Sequence, residues 1–218
     1  MKSIITGGAG FIGSHLCERL VDAGHEVIIL DNFSLGKKSN LKKVKDKITI
    51  VKKDIRNLNS IDYLFKKVQN VFHLAALADI VPSIENPQTY FSANVTGTLN
   101  LLSLAVDQAK SQGEIVKFFF PSSIAVYGMG EKKDVAGAIS ESEYCQPQTM
   151  YGCNKLYCEN LGIYHANYYH RLADDFKPGH VDFRSIRFPG IISAVTAPTG
   201  GTSDFLPEMI HAVAQGEQ

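Results

Sequence analysis

The chain has 218 residues, 44% of them hydrophobic, which is enough for one substantial core. Its 22 basic and 22 acidic residues balance, which excludes a global basic field for nucleic acid or for an anionic membrane. No apolar run approaches the ~20 residues that span a bilayer, and the apolar stretch of MKSIITGG is too short for a signal peptide, so a cytoplasmic protein is expected.

The elements alternate along the chain. Residues 2–6, 26–30, 48–51, 70–74, 116–120 and 182–187 are short, continuous apolar runs, as strands covered on both faces should be. Segments 11–23, 57–67, 87–110 and 151–170 have helical length and patterning. This alternation predicts an α/β fold: a Rossmann-type doubly wound parallel sheet with helices on both faces. Residues 1–187 form this domain on this reading. Residues 188–218 begin a substrate-binding region that is incomplete. The long loops 32–47, 128–148 and 188–203 follow strands, where ligands bind in such sheets.

IITGGAGFIGSHL joins the first strand to the first helix. Gly7, Gly10 and Gly13 are spaced three apart, and Gly8, Gly10 and Gly13 also fit G-x-G-x-x-G. Glycines let the backbone turn sharply and approach a pyrophosphate, which the helix N-terminus then receives. Asp31 closes the second strand, where an acid can accept hydrogen bonds from the adenosine ribose and repel a 2′-phosphate. NAD is therefore the expected cofactor, with Lys37 and Lys38 nearby as the opposing signal. Asp54 and Ile55 follow the third strand, near the expected adenine. After the fourth strand, HLAALAD offers Ala75, Ala76 and Ala78, small enough for a cofactor to lie against backbone. His73, inside an apolar strand, reads as a satisfied core histidine.

FFFPSSIAVYG puts Ser122 and Ser123 just past the fifth strand, and Tyr151 and Lys155 open the next helix at i, i+4 on one face. A free tyrosine, with a pKa of ~10, is a poor base at neutral pH. A neighbouring ammonium lowers that value, and a serine hydroxyl can orient the same substrate oxygen. Serine, tyrosine and lysine behind a dinucleotide cradle predict proton transfer coupled to hydride transfer. The cysteines, Cys17, Cys145, Cys153 and Cys158, form no CxxC pair, and HExxH is missing, so reduced thiols and no metal site are expected.

TGGAGFIG, Asp31, Asp54, HLAA, NVTGT, SSIAVYG and YGCNK, in this order, resemble the extended short-chain dehydrogenase/reductase family of the NAD-dependent epimerase/dehydratase type. The resemblance implies Ser123, Tyr151 and Lys155 as catalytic residues. It implies NAD contacts from Gly7, Gly10, Phe11, Ile12, Gly13, Asp31, Asn32, Asp54, Ile55, Leu74, Ala75, Ala76, Asn94, Tyr151, Lys155 and Phe188. Substrate contacts are expected from Ala78, Ser123, Tyr151, Thr202 and Ser203. It also implies a homodimer through helices 87–110 and 151–170.

The stretch from His73 to Leu102 resembles nucleotide-sugar 4-epimerases, whereas RFPGIISAVTAPTGGTSDF resembles the threonine 3-dehydrogenase branch. Pro189 stands where sugar epimerases typically carry a diphosphate-binding asparagine, and proline offers neither amide side chain nor N–H. The leading expectation is therefore NAD-dependent oxidation of the side-chain hydroxyl of L-threonine or a similar β-hydroxy amino acid. The alternatives are 4-epimerisation of a nucleotide sugar and a non-catalytic NAD-binding module. Fifteen of the 17 lysines lie in residues 1–133, which together with the split resemblance fits a fusion of two relatives.

Overall fold

The computed structural model describes residues 1–128, 137–174, 176–191 and 205–216. Six strands form one parallel sheet: β1 (Lys2–Thr6), β2 (Glu26–Asp31), β3 (Ile48–Lys52), β4 (Asn70–His73), β5 (Val116–Ser123) and β6 (Val181–Phe188). Their order is β3-β2-β1-β4-β5-β6. The chain reverses direction across the sheet between β1 and β4, the switch point at which such folds open a crevice beyond the strand ends. β1 and β2 are almost wholly buried, as their unbroken Ile and Val runs require, whereas edge strand β3 has three exposed residues of five.

One core lies on each face. Phe118, Phe120, Leu101, Leu102 and Phe65 belong to the larger, and Ile5, Ile29, Leu41 and Cys17 to the smaller. Helices α1 (Phe11–Asp22), α2 (Ile80–Glu85), α3 (Pro87–Phe91), α4 (Gly97–Gln112), α5 (Met150–Asn167) and α6 (Phe205–Gln215) complete the described elements. Among the described residues no helix is long and apolar enough to cross a membrane.

Three expectations need correction. Segment 57–67 is not an α-helix but the 3₁₀ turns Leu58–Ser60 and Asp62–Phe65. Asn57, Asn59, Ser60 and Asp62 offer side-chain bonds that compete with helix, and Ser60 Oγ donates to Asn57 O at 2.9 Å. Segment 87–110 is not one regular helix, because a π-turn, Ser92–Thr96, separates α3 from α4. Ser122 and Ser123 do not follow β5 but end it, in register with Arg187 and Phe188 of β6. Pro121 is tolerated inside this strand because the β4 ladder stops at Phe119, so no bond toward β4 is lost.

Candidate active site

Gly7 adopts φ +67°, and a Cβ there would lie 2.7 Å from the Ala75 nitrogen. The loop after β1 thus presses directly on the segment after β4. A Cβ on Gly13 would collide with the Gly7 carbonyl. The frame that matters is therefore Gly7-x-x-Gly10-x-x-Gly13. Gly10 is the N-cap of α1 and supplies no side-chain cap, leaving the first-turn amides to meet an anion.

Asp31 is buried and braces this loop: Ala9 N donates to its Oδ2 at 2.9 Å and Phe33 N to its Oδ1 at 2.8 Å. Each oxygen keeps a lone pair for a further donor. Asp54 accepts from Asn32 Nδ2 at 3.0 Å and from Arg56 through its backbone N, Nε and Nη2 at 2.8–2.9 Å. Hydrogen bonds from Arg56 hold the Asp54 carboxyl well below the usual carboxylate range.

A cavity of about 380 Å³ opens between these parts. Of the expected cofactor contacts, Gly7, Gly10, Asp31, Asn32, Asp54, Ile55, Leu74, Ala75 and Ala76 line it. Lys53, Arg56 and Leu77 line it too and escaped the sequence reading. The charged residues flanking Asp54 at the end of β3 were the available signal. Asn94 does not line the cavity. It is buried and clamps one peptide segment, with its Oδ1 accepting from Leu77 N at 2.8 Å and its Nδ2 donating to Leu77 O at 2.9 Å. Ala78 is exposed. Thr202 and Ser203 lie outside the described residues.

The three candidate catalytic groups meet where β5 ends and α5 begins. Thr149 caps α5, accepting from Gly152 N at 3.0 Å, which sets Tyr151 in the first turn. A Cβ on Gly152 would collide with the Ala125 carbonyl, so α5 seats tightly on the turn that follows Ser123. Lys155 Nζ donates to Pro121 O at 2.7 Å and lies 4.6 Å from the Phe120 ring centre and 5.7 Å from that of Tyr151. Burial pushes the Lys155 ammonium down to about 8.

The Tyr151 phenol is raised rather than lowered: burial dominates, the Ser123 hydrogen bond pulls the other way, and the charge of Asp79 adds to the rise. This reverses the expected direction, because Lys155 points at Pro121 O and the tyrosine ring face rather than at the hydroxyl. Phe188 faces Ser123 across the β5–β6 ladder.

Glu159 and Arg187 form a fork-to-fork pair at 2.7 and 2.9 Å that sequence reasoning missed. Arg187 also donates to Glu141 O at 2.6 Å and stacks over Tyr127 at 4.7 Å. The pair ties α5 to β6 and to the segment leading into Tyr151. A carboxylate one turn after Lys155, on the buried face of α5, was the legible sign.

The sequence profile described as the NAD dependent epimerase/dehydratase family matches residues 3–218. A UDP-glucose 4-epimerase of Klebsiella pneumoniae is 37% identical over 134 residues, 59% of this chain and 93% of that protein. A putative UDP-glucose 4-epimerase of Methanocaldococcus jannaschii is 32% identical over 199 residues, 90% of this chain and 58% of its own length. The UDP-glucose 4-epimerase of Thermus thermophilus, solved in complex with NAD, superposes over the whole chain with TM-score 0.77 at 28% identity. That of Thermotoga maritima, solved with UDP-glucose, gives 0.80 at 27%. The chain spans 64% of each of these two solved structures.

Proposed function

The chain belongs to the NAD dependent epimerase/dehydratase family, and on that premise we propose that it is an NAD-dependent enzyme acting on a nucleotide sugar, of the UDP-glucose 4-epimerase type. The observation that carries the reading is the meeting of Ser123, Tyr151 and Lys155 at the strand ends that also bear the glycine cradle.

The cavity residues fit NAD. Gly7 lets the loop after β1 close on the Ala75 wall, the uncapped α1 amides suit a diphosphate, and Asp31 has lone pairs free for ribose hydroxyls. When bound, NAD supplies the hydride acceptor and, in an epimerase, the hydride donor of the return step. Tyr151 takes the proton of the sugar hydroxyl at Oη and later returns it. Ser123, at the end of β5 beside Tyr151, orients the same oxygen. Lys155 is the ammonium nearest the Tyr151 ring, 5.7 Å from its centre, and is anchored on Pro121 O.

The relatives named above are nucleotide-sugar enzymes, so they favour this reading over the threonine oxidation expected from residues 187–205. One observation keeps threonine as a second reading: Pro189 provides no diphosphate-binding amide beyond β6. Residues 1–187 would hold NAD, with the substrate region starting at 188. A non-catalytic module would have no use for the Ser123, Tyr151 and Lys155 set.

The test is interconversion of UDP-glucose and UDP-galactose by the chain with NAD, sugars being separated after digestion. Tyr151→Phe should lower the rate on the order of 10²–10⁴-fold. NADH formed from L-threonine, with no sugar interconversion, would replace the sugar reading by the second one. NAD binding with neither reaction would leave only the binding module.

A further inference from the structure

The wall of the cavity is fastened from behind by a hydrogen-bond chain whose every proton can be assigned. Ala75 N donates to Thr6 Oγ1 at 3.2 Å, and Thr6 Oγ1 lies 2.7 Å from His73 Nδ1. On the other side of the ring, His73 Nε2 lies 2.8 Å from Thr98 Oγ1, which is 2.5 Å from Asn94 O. A carbonyl only accepts, so Thr98 gives its single proton to Asn94 O. Thr98 can then only accept from the imidazole, which places a proton on Nε2. A neutral imidazole has one N–H, so Nδ1 is bare and Thr6 must donate to it. The reverse arrangement would leave two bare acceptors 2.5 Å apart at Thr98 and Asn94.

The chain closes on itself. It starts at the Ala75 amide and ends on Asn94, whose side chain grips both backbone groups of Leu77. Ala75 and Leu77 both line the cavity, and Gly7 closes against Ala75. Asn94 sits in the π-turn, a distortion that recurs at functional sites.

We propose that His73, held as the neutral Nε2-protonated tautomer between Thr6 and Thr98, is the positioning residue that sets the Ala75–Leu77 wall against which the dinucleotide lies. The inference rests on the reading of this cavity as the NAD site. His73 is buried, touching Phe118 and Phe120, and Lys155 on α5 is the charged group facing it. Burial first and the Lys155 charge second hold the imidazole down to about 3, consistent with a neutral ring.

Two measurements on the full chain decide it. Nitrogen-15 NMR of histidine-labelled protein should show His73 with Nε2 protonated and Nδ1 bare, without titration between about pH 5 and 8. Thr98→Val, which keeps the shape and removes the hydroxyl, should weaken NAD binding about tenfold, and Thr98→Ser should restore it to within about twofold. Should Thr98→Val not fold, Thr6→Val against Thr6→Ser provides the same contrast. The opposite tautomer, a titrating His73, or a valine variant that binds as well as wild type overturns the inference while NAD binding stands. The expected tautomer in a chain without NAD affinity overturns the reading of the cavity instead, and the wall's purpose with it.

Discussion

Tyr151 and Lys155 face opposite electrostatic demands. Burial favours the neutral phenol and the neutral amine, yet the proposed proton transfer needs phenolate and ammonium. For Lys155 the ordinary value is 10.5 and the folded one about 8, so between these the unfolded chain holds a proton that the folded chain has released. Stability from this group is therefore lowest below about pH 8 and recovers as pH rises toward 10.5. Cys17 and Cys158 act the other way, since burial raises both thiols to about 11 from 9 and stability falls as pH climbs through that range. The difference between wild type and Lys155→Met reports the lysine together with its charge coupling to Cys158 and His73. Urea midpoints should show the variant gaining on wild type below pH 8, with the gap narrowing by about 3 kcal/mol at full recovery. A gap that does not change with pH would mean that Lys155 is not desolvated as described. The Tyr151 and Lys155 pair was legible as an i, i+4 spacing, and Ser123 as a residue at a strand end, but only the fold brings the three together. The direction of the Tyr151 shift was not legible, because it depends on where the Lys155 ammonium points.

At the level of elements, the sequence showed what is buried better than how the backbone buries it. Ile61, Leu64 and Phe65 have helical spacing and are buried, yet the 3₁₀ turns bury them equally well, and Lys67 at φ +63° ends the segment. Apolar periodicity records the burial and cannot tell the two backbones apart when Asn, Ser and Asp fill the other positions. The His73 chain was half legible: a polar ring in an apolar strand announced partners, but Thr6 and Thr98 lie 67 and 25 residues away. Helix α5 hides another constraint. Gly162 would pass for a helix weakness, but a Cβ there would collide with the Phe183 ring of β6. Gly162→Ala gains about 1 kcal/mol in helix propensity, whereas overpacking typically costs about 1–3 kcal/mol. A net loss of about 1 kcal/mol, read as a lower thermal midpoint, is expected, and Phe183→Leu should recover part of it. A stabilised Gly162→Ala would show that α5 does not seat on β6 this closely.

The whole molecule brings residues from distant parts of the chain to one sheet edge: the cradle from β1 and α1, the wall from β4, the proton groups from β5 and α5. That arrangement follows from the strand order and was expected from strand–helix alternation. How copies of the chain associate is a separate question of surface. Helices α4 and α5 pack together and leave Leu99, Tyr157, Ile163 and Tyr164 exposed. Tyrosine and large aliphatic side chains in contact with water on neighbouring helices are the composition of an interface core. The homodimer expected through these helices is thus a proposal with a surface to test. Sedimentation velocity at about 10 μM, a concentration at which interfaces of ordinary size are occupied, should give a dimer. Leu99→Glu with Tyr157→Glu should convert it to monomer, since buried unpaired charges of one sign oppose association. Because neither residue lines the cavity proposed to hold NAD, the monomeric variant should bind NAD with unchanged affinity. A wild-type chain that sediments as a monomer would leave these helices without the partner their surface suggests.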